Sequence, residues 1–344
     1  MGGNSMSQRQ ITYLNIELTN QCGLQCAHCS SSSSFDGTDY IAPNRVLRLL
    51  DEGKKLGAKC LSISGGEPLL YPYLNEIIEY ANTTGYTIRI YTSGIITKDG
   101  VELRSIAEET LKSFVGKIDT IIFSLHSHLA TLHDGITCKK GSFDLTTKAI
   151  RAAIKIGLIT EIHTVPMSVN YKDIPHLISL GEDIGVRQVS FLRLVPQGRC
   201  VNNPHLMMNV AETKQFVEIL NEMDSPVLKL RKGAPYKCLF IEKAGECSAG
   251  KDKILISPDG SVHPCEAFKF SSSRSNINTQ SLTDIWMEDS MLNQIRMLDI
   301  LQISECNTCG NINVCHGGCP GQRYLEYHSI EQGPDPICLI GNAV

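Results

Sequence analysis

The sequence lacks the features of several large functional classes. Its 344 residues carry a formal net charge of −4, so there is no basic excess of the kind that nucleic acids or anionic membranes attract. It has no apolar run of roughly 18 residues, and its polar N-terminus, MGGNSMSQRQ, has no apolar centre that would act as a secretion signal. We therefore expect a cytoplasmic protein with no nucleic-acid partner and no membrane partner.

Cysteine, in contrast, is abundant. The chain holds 14 cysteines, and its length and 42% hydrophobic content are enough to bury the cores of one large and one smaller domain without disulfides. A reducing compartment also argues against disulfide bonds. Because the cysteines are concentrated in the first thirty residues and after residue 237, metal ligation explains them better.

Strand and helix patterns alternate from residue 11. Apolar, β-branched runs such as ITYLNIELT are followed by helical patterns such as NRVLRLLDEGKKLG, and six such units can be counted. Strands that are almost entirely apolar indicate a parallel sheet covered by helices, and six units suit an open partial barrel better than a closed barrel of eight. The sequence therefore predicts an α/β fold with a partial (β/α)6 barrel. VELRSIAEETLKSFV, at 101–115, is interpreted as one of its helices.

The alternation stops after LVPQGR. The next stretch is mixed and holds one clear helix, AETKQFVEILNEM, whereas the last hundred residues are rich in cysteine and glycine, with a hairpin pattern in KILISPDGSVHPC. A segment with so little periodicity needs metal centres in order to fold. We therefore divide the chain into a barrel at 11–200, a bridge at 201–237 and a small metal-binding domain at 238–344.

Chemically distinctive residues follow the predicted strands. Cys22, Cys26 and Cys29 stand in LTNQCGLQCAHCS after the first strand, and SGGEP, YTSG and SLHS follow the next three. The carboxyl ends of parallel strands meet at one face, so we expect these segments to lie together. Three thiolates are too few for a closed zinc site. The motif therefore holds either a metal centre with one open position or zinc with His28 as the fourth ligand.

The spacing Cys-x3-Cys-x2-Cys after a first barrel strand resembles the signature of the radical S-adenosylmethionine (radical SAM) superfamily. The resemblance implies that the three thiolates hold a [4Fe-4S] cluster whose fourth iron binds S-adenosylmethionine (SAM). SGGEP resembles the motif that binds the amino group of SAM, with glycines that permit close approach and Glu67 beside the ammonium. The SAM contacts implied by the resemblance are Ser64, Gly65, Gly66, Glu67, Ser93, Ser124, Asn170 and Leu194.

One position departs from the family pattern. Related enzymes often have HDRIRG before GSF, with an arginine near the SAM carboxylate, whereas this chain has HDGITCKKGSF. Thr137 occupies the position of that arginine. Lys139 or Lys140 is a candidate to replace it, although an ammonium is a poorer bidentate partner for a carboxylate than a guanidinium.

The C-terminal cysteines resemble the SPASM extension of many radical SAM enzymes. The resemblance implies two auxiliary [4Fe-4S] clusters, and hence three clusters in total. Auxiliary cluster I would be held by Cys238, Cys247, Cys265 and Cys319, and auxiliary cluster II by Cys306, Cys309, Cys315 and Cys338. Two zinc ribbons are the alternative for the whole pattern, and an open position in cluster I is the alternative for Cys238.

Glu266 directly follows Cys265. Sulfatase-maturing members of the family carry an aspartate at the equivalent place, which is proposed to take a proton from the substrate. The resemblance therefore makes Glu266 a candidate catalytic base. The alternative is a carboxylate that only neighbours the cluster.

The resemblance implies an oxidoreductase-type enzyme that reductively cleaves SAM to a 5′-deoxyadenosyl radical. This radical would abstract hydrogen from a peptide or protein substrate and lead to a crosslink, an oxidation or an epimerisation. Because the barrel pattern begins at residue 11, we expect a separate peptide-recognition protein, together with an external electron donor of the flavodoxin or ferredoxin type. Two alternatives stay open: a dehydrogenase or decarboxylase of a sugar, nucleoside or amino acid, and a non-catalytic metal-bound scaffold.

Overall fold

A nine-stranded sheet is the largest feature of the chain. The computed structural model describes residues 9–239, 247–271 and 275–340. The strands in these ranges are β1 (Tyr13–Glu17), β2 (Cys60–Ser64), β3 (Thr87–Thr92), β4 (Ile95–Thr97), β5 (Leu103–Ser105), β6 (Thr120–Ser124), β7 (Thr160–Thr164), β8 (Gln188–Phe191), β9 (Lys229–Lys232), β10 (Lys253–Ile256) and β11 (Val262–His263).

Helices follow most of the strands. In the described ranges they are α1 (Pro43–Lys55), α2 (Leu74–Thr83), α3 (Glu108–Phe114), α4 (Ala130–Thr137), α5 (Ser142–Lys155), α6 (Ile174–Ile184), α7 (Val210–Glu222), α8 (Leu282–Glu288), α9 (Ser290–Met297), α10 (Ile312–Cys315) and α11 (Pro320–Tyr327). None of these helices is both long enough and apolar enough to span a membrane.

The order of the strands confirms the predicted partial barrel. The sheet runs β11-β10-β1-β2-β3-β6-β7-β8-β9, and every pair from β10 to β9 is parallel, whereas β11 is antiparallel to β10. The six strands β1, β2, β3, β6, β7 and β8 alternate with helices, as predicted. Within the described ranges β9 and β11 form the two edges and do not pair, so the barrel is open.

Later parts of the chain extend this sheet. The β9 strand, from the predicted bridge, pairs with β8, and the β10–β11 hairpin, from the cysteine-rich segment, pairs with β1.

The prediction of a helix at 101–115 is wrong over its first part. Residues Leu103–Ser105 pair with Ile95–Thr97 in a separate two-stranded sheet, and the helix begins only at Glu108. Pairing with a neighbouring strand has overridden the local helical pattern.

Side chains alternate between two environments along the barrel strands. In β1, Leu14 and Ile16 are buried in the apolar core under the helices, while Asn15 and Glu17 point to the opposite side. The same alternation sends polar side chains of the other strands, such as His163 in β7, to the interior of the barrel. The core therefore lies between sheet and helices, and the interior is polar.

The C-terminal segment packs on the β1 side of the barrel. Trp286 in α8 is fully buried and donates a hydrogen bond from its Nε1 to the carbonyl of Arg9 (2.8 Å). The Arg296 guanidinium lies 4.0 Å above the centre of that indole ring. From α1, Arg45 donates to the carbonyl of Ile277 (2.6 Å). These contacts attach the cysteine-rich segment to the barrel.

Candidate functional site

The loop after β1 carries the three clustered cysteines. It is held by backbone hydrogen bonds, from Cys22 to the carbonyl of Ser34 (2.8 Å) and from Ala27 to the carbonyl of Ile136 (2.9 Å). Burial, with a smaller contribution from nearby carboxylate charge, raises the pKa of Cys22 to about 12, and burial raises the pKa of Cys26 well above its usual value. Ionised thiols are therefore unfavourable here unless a positive centre lies among them.

The three thiols are not gathered as the ligands of a single zinc ion would be. Tetrahedral zinc with Zn–S bonds of 2.3 Å would draw its ligand sulfurs to about 3.8 Å from one another. In the described ranges, three candidate ligand atoms lie within 4.8 Å of one another in the group of His128, Asp173 and His176. The cysteine triplet does not form such a group. His28, the alternative fourth zinc ligand, instead packs edge-on against His126 (ring centroids 4.5 Å apart). The three thiols and His28 are therefore not arranged as the four ligands of one zinc ion, and the assignment to a cluster stays a prediction.

The SGGEP loop after β2 binds directly to the backbone that precedes the cysteines. The Gly66 N–H donates to the carbonyl of Thr19 (2.6 Å), and the Glu67 N–H donates to the carbonyl of Gln21 (2.7 Å). A Cβ on Gly66 would lie 2.2 Å from the Gln21 carbonyl oxygen, and Gly65 has a φ of +146° that favours glycine. Both glycines thus permit the close contact that positions the cysteine loop.

Glu67 links the SGGEP loop to the end of β3. Its buried carboxylate accepts hydrogen bonds from Thr92 Oγ1 (2.5 Å), Leu69 N (3.2 Å), Ser93 N (2.8 Å) and Ser93 Oγ (2.5 Å). Burial raises the pKa of Glu67, and these four donors oppose that shift. Two residues predicted to contact SAM, Glu67 and Ser93, are therefore bonded to each other, and all four of the carboxylate's usual acceptor positions are filled.

The other predicted SAM contacts lie after β6, β7 and β8. Ser124 is half-buried at the end of β6. Asn170 is buried, and its amide donates to the carbonyl of His126 (2.8 Å) and accepts from the Met167 N–H (2.7 Å), so it ties the loop after β6 to the loop after β7. Leu194 packs against a small apolar cluster that includes Met167. All of these segments lie at the same end of the barrel, and their roles toward SAM stay predictions.

Thr137, at the position of the family arginine, faces into the protein. Its hydroxyl is hydrogen-bonded to the carbonyl of His133 (3.1 Å) and to Ser142 Oγ (2.6 Å), and it is buried at the end of α4. Lys139 donates to the carbonyl of Gly100 (3.2 Å). The ammonium of this candidate substitute is therefore already bonded to another loop.

Arg199 is a residue of the site that the sequence interpretation missed. It donates from its backbone to the Cys29 carbonyl (3.0 Å), and from its guanidinium to the carbonyls of Cys26 (3.0 Å) and Ser33 (2.7 Å). Its neighbour Gly198 has a φ of +60°, and a Cβ there would lie 2.6 Å from the Cys29 carbonyl oxygen. The guanidinium thus braces the cysteine loop and places a positive charge beside it. The glycine–arginine pair after the last barrel strand was its only sequence signal.

The C-terminal cysteines form two neighbourhoods. Burial raises the pKa of Cys265, and smaller contributions come from its thiol neighbours Cys247 and Cys319. The second neighbourhood, in which the thiols likewise influence one another, contains Cys306, Cys309, Cys315 and Cys338. Cys238 is buried beside Asp335, Arg193 and Cys338. The ligand assignments that the resemblance implies, that of Cys238 included, stay predictions.

A buried ion pair joins the barrel to the cysteine-rich segment. Arg193, just after β8, donates two hydrogen bonds to Asp335 (2.7 and 2.8 Å), and both side chains are almost completely buried. Asp335 also accepts from the backbone N–H of Cys319 (2.8 Å). Burial raises the pKa of Asp335, but the Arg193 charge and the hydrogen bonds from Arg193, Cys319 and Ile337 together outweigh that contribution and lower the pKa overall. The carboxylate therefore fixes a predicted cluster ligand to a strand end of the barrel.

Glu266 lies where the two regions meet. Burial raises its pKa, but the charges of Lys253 and Lys269 outweigh this and lower it overall. Lys269 also donates to Glu17 at the end of β1 (2.5 Å). The Glu266 backbone carbonyl accepts a hydrogen bond from Gln197 Nε2. The side chain is therefore an ionised carboxylate between two buried ammonium groups.

Two family models match this sequence. The Radical SAM superfamily model matches residues 16–181, and the SPASM model, described as an iron-sulfur cluster-binding domain, matches residues 247–310. The first range covers the barrel from β1 into α6, and the second covers most of the cysteine-rich segment.

Similar proteins extend over nearly the whole chain. The antilisterial bacteriocin subtilosin biosynthesis protein AlbA of Bacillus subtilis is 27% identical over 95% of this chain and 74% of its own length. The PqqA peptide cyclase of Ruegeria pomeroyi is 29% identical over 94% of this chain and 85% of its own. The crystal structure of Streptococcus suis SuiB bound to S-adenosylmethionine is 20% identical, with a TM-score of 0.76 over 96% of this chain and 78% of that one; SuiB has also been crystallised with its precursor peptide SuiA. The structural likeness confirms the fold.

We expect Gly66→Ala to disrupt the cysteine loop. The added Cβ would meet the Gln21 backbone carbonyl at 2.2 Å, which is too close for either segment to stay in place, and overpacking of this kind typically costs about 1–3 kcal/mol. Iron analysis of the anaerobically reconstituted variant should show a loss of up to about four irons per chain. Gly135→Ala is the matched control, because nothing lies within 4 Å of its Cβ position. Full iron content in Gly66→Ala would contradict the close-contact argument.

We expect Asp335→Ala to destabilise the protein strongly, because it leaves the Arg193 charge buried without this partner. Removal of one member of a buried ion pair typically costs about 3–5 kcal/mol. Glu102→Ala is the control, because its ion pair with Arg104 is about two-thirds exposed and should contribute at most about 1 kcal/mol. Urea denaturation of the three proteins measures the difference. Equal transition midpoints for Asp335→Ala and the control would show that the buried pair does not stabilise the fold.

Proposed function

The chain belongs to the radical SAM superfamily and carries a SPASM iron-sulfur domain, and from this we propose that it is a peptide maturase that modifies a precursor peptide by hydrogen abstraction. The observation that carries the proposal is the assembly around the cysteine triplet. The loops after β1, β2 and β3 and residues 197–199 are hydrogen-bonded into one unit at the carboxyl end of an open barrel.

We propose that Cys22, Cys26 and Cys29 hold a [4Fe-4S] cluster that leaves one iron free for SAM. When bound, such a cluster would supply the electron for the cleavage of SAM, and with it the radical chemistry that removes hydrogen from the substrate. Arg199 holds the cysteine loop against this cluster and offsets part of the thiolate charge. Its three hydrogen bonds to loop carbonyls support this role.

The residues of the proposed SAM site have two kinds of role: some contact SAM, and others hold the loops in position. Glu67, Ser93 and Asn170 act by holding loops, because their side-chain donors and acceptors are bonded to protein groups. The remaining proposed contacts are Ser64, Gly65, Gly66, Ser124 and Leu194. Because Thr137 faces inward, we propose that the SAM carboxylate is bound without a side chain equivalent to the family arginine.

We further propose two auxiliary [4Fe-4S] clusters, and so three clusters in all. Their ligands are Cys238, Cys247, Cys265 and Cys319 for the first, and Cys306, Cys309, Cys315 and Cys338 for the second. The domain division that goes with them is a barrel at 11–200, a bridge at 201–237 and a SPASM domain at 238–344. Such clusters accept electrons from a substrate radical at potentials set by burial and by hydrogen bonds to sulfur.

A precursor peptide is the proposed substrate. The PqqA peptide cyclase and SuiB, crystallised with a precursor peptide, support this class, and the polar barrel interior offers partners for peptide groups. We propose in addition a flavodoxin- or ferredoxin-type electron donor and a separate peptide-recognition protein. A cytoplasmic location agrees with 14 cysteines, none of which forms a disulfide with another described cysteine.

Iron analysis and product analysis test the central assignment. Anaerobically reconstituted protein should hold about twelve irons, form 5′-deoxyadenosine from SAM under reduction, and change the mass of a short peptide encoded beside its own gene. Joint replacement of Cys22, Cys26 and Cys29 by alanine should remove about four irons and abolish 5′-deoxyadenosine. A variant that still cleaves SAM would refute the assignment. Intact SAM cleavage without any peptide product would point to a small-molecule substrate.

Glu266→Gln tests the proposed catalytic base. The amide keeps the shape of the side chain but accepts a proton poorly, and general-base contributions are on the order of a hundredfold or more. Peptide product should therefore fall by at least about that factor, while 5′-deoxyadenosine still forms. Glu102→Gln, at an exposed carboxylate, is the control. Product at the normal rate would show that Glu266 only neighbours the cluster, and loss of both activities would indicate a positioning role toward Lys253 and Lys269.

A further inference from the structure

We infer that His128, Asp173 and His176 form a binding site for a single divalent transition-metal ion, with Zn²⁺ as the best-matched occupant. One ligand atom from each side chain lies within 4.8 Å of the other two, and across residues 9–239, 247–271 and 275–340 this is the one group that does so. Two imidazoles and a carboxylate are a common ligand set for zinc. The site is separate from the cysteines proposed to bind iron.

The chain brings the three ligands together from two elements. His128 lies in the turn between β6 and α4, whereas Asp173 and His176 stand three residues apart at the start of α6. Residues with this spacing share one face of a helix. The rings of His128 and His176 are stacked with centroids 4.9 Å apart, so both imidazoles border the same small space.

The carboxylate is oriented as a metal ligand would be. Oδ2 of Asp173 accepts hydrogen bonds from Ser127 Oγ (2.5 Å) and from the His128 N–H (3.0 Å). These bonds fix the carboxylate and turn Oδ1 toward the His128 ring. Hydrogen bonds that hold a ligand's second oxygen are typical of metal sites and pre-set the ligand's direction.

His128 Nδ1 is buried and in direct ion-pair contact with Asp173 Oδ1, so the ring and the carboxylate already face each other. A bound ion would replace this ion pair, and the two ligand atoms would move apart to admit it. His176 is exposed, so an ion can enter from solvent, and water can complete the four-coordinate shell.

The site would connect two segments beside the proposed SAM site. The turn that holds His128 also contains His126, whose carbonyl accepts from Asn170 Nδ2 (2.8 Å). Asn170 in turn directly precedes the helical turn that ends at Asp173. Binding would therefore fasten the loop after β6 to the start of α6. Sites of this kind bind Zn²⁺ more tightly than Fe²⁺, so Zn²⁺ should displace Fe²⁺ here.

Zinc titration of the cluster-loaded enzyme tests the inference. Calorimetry with ZnCl₂, together with zinc and iron analysis of the same samples, should show one bound Zn²⁺ with unchanged iron, because zinc that replaced iron on thiolates would lower the iron count. His176→Ala should bind Zn²⁺ at least about tenfold more weakly. It is a safe substitution for folding, because His176 is exposed. His205→Ala, at another exposed histidine, should bind like the unaltered protein.

Thermal unfolding gives a second readout. Zn²⁺ should raise the Tm of the unaltered protein and of His205→Ala, but not that of His176→Ala, because an ion that binds only the folded state stabilises it by mass action. The inference is overturned if the unaltered enzyme binds no zinc beyond its clusters, if His176→Ala binds as tightly, or if His205→Ala is weakened equally. None of these results would affect the proposed radical chemistry, which depends on other residues.

Discussion

The buried ion pair between Arg193 and Asp335 fixes the position of the cysteine-rich segment against the barrel, and so the position of the two metal-binding regions relative to each other. An unpaired charge at such a buried position would be costly, so each side chain requires the other. Arg193 is fixed by its place after β8, and Asp335 also binds the backbone of Cys319. One carboxylate thus joins the barrel to a proposed auxiliary-cluster ligand. The pair would thereby help to fix the separation between the proposed metal centres.

Close backbone contacts hold the loop of the cysteine triplet in position. Gly66 and Gly198 approach the cysteine loop from two directions, and in both cases a Cβ would collide with a carbonyl oxygen of that loop. Arg199 then bonds to the carbonyls of Cys26 and Ser33 in that loop. A loop without regular structure is thereby held rigidly from outside, as expected for a site that must keep three thiolates in place around a reactive centre.

Much of the fold was predictable because its signals are local. Apolar strands, helical periods and glycine stops gave six strand–helix units, and the hairpin around Pro258-Asp259-Gly260 has the predicted turn. The helix prediction for Leu103–Ser105 failed because the pairing of this segment with β4 is a tertiary contact that no local pattern shows. Arg199 and Asp335 were missed for a similar reason. The carbonyls that Arg199 binds and the Arg193 partner of Asp335 lie more than a hundred residues away in the chain, so apart from the Gly198–Arg199 pair no local pattern marked these contacts.

The charge balance of the buried thiols explains why the metal-binding regions and the fold depend on each other. Burial raises the pKa of Cys26, Cys265 and Cys319, so without metal these groups would be neutral thiols. Ionisation of one thiol would also disfavour ionisation of its neighbours. Cations lie near each group: Arg199 near Cys26, Lys253 near Cys265, and Arg193 and the fully buried Arg323 near Cys319. These cations favour thiolates but are too few to balance all of them. Metal ligation would supply the remaining positive charge, so we expect the binding of iron and the completion of the C-terminal fold to be coupled.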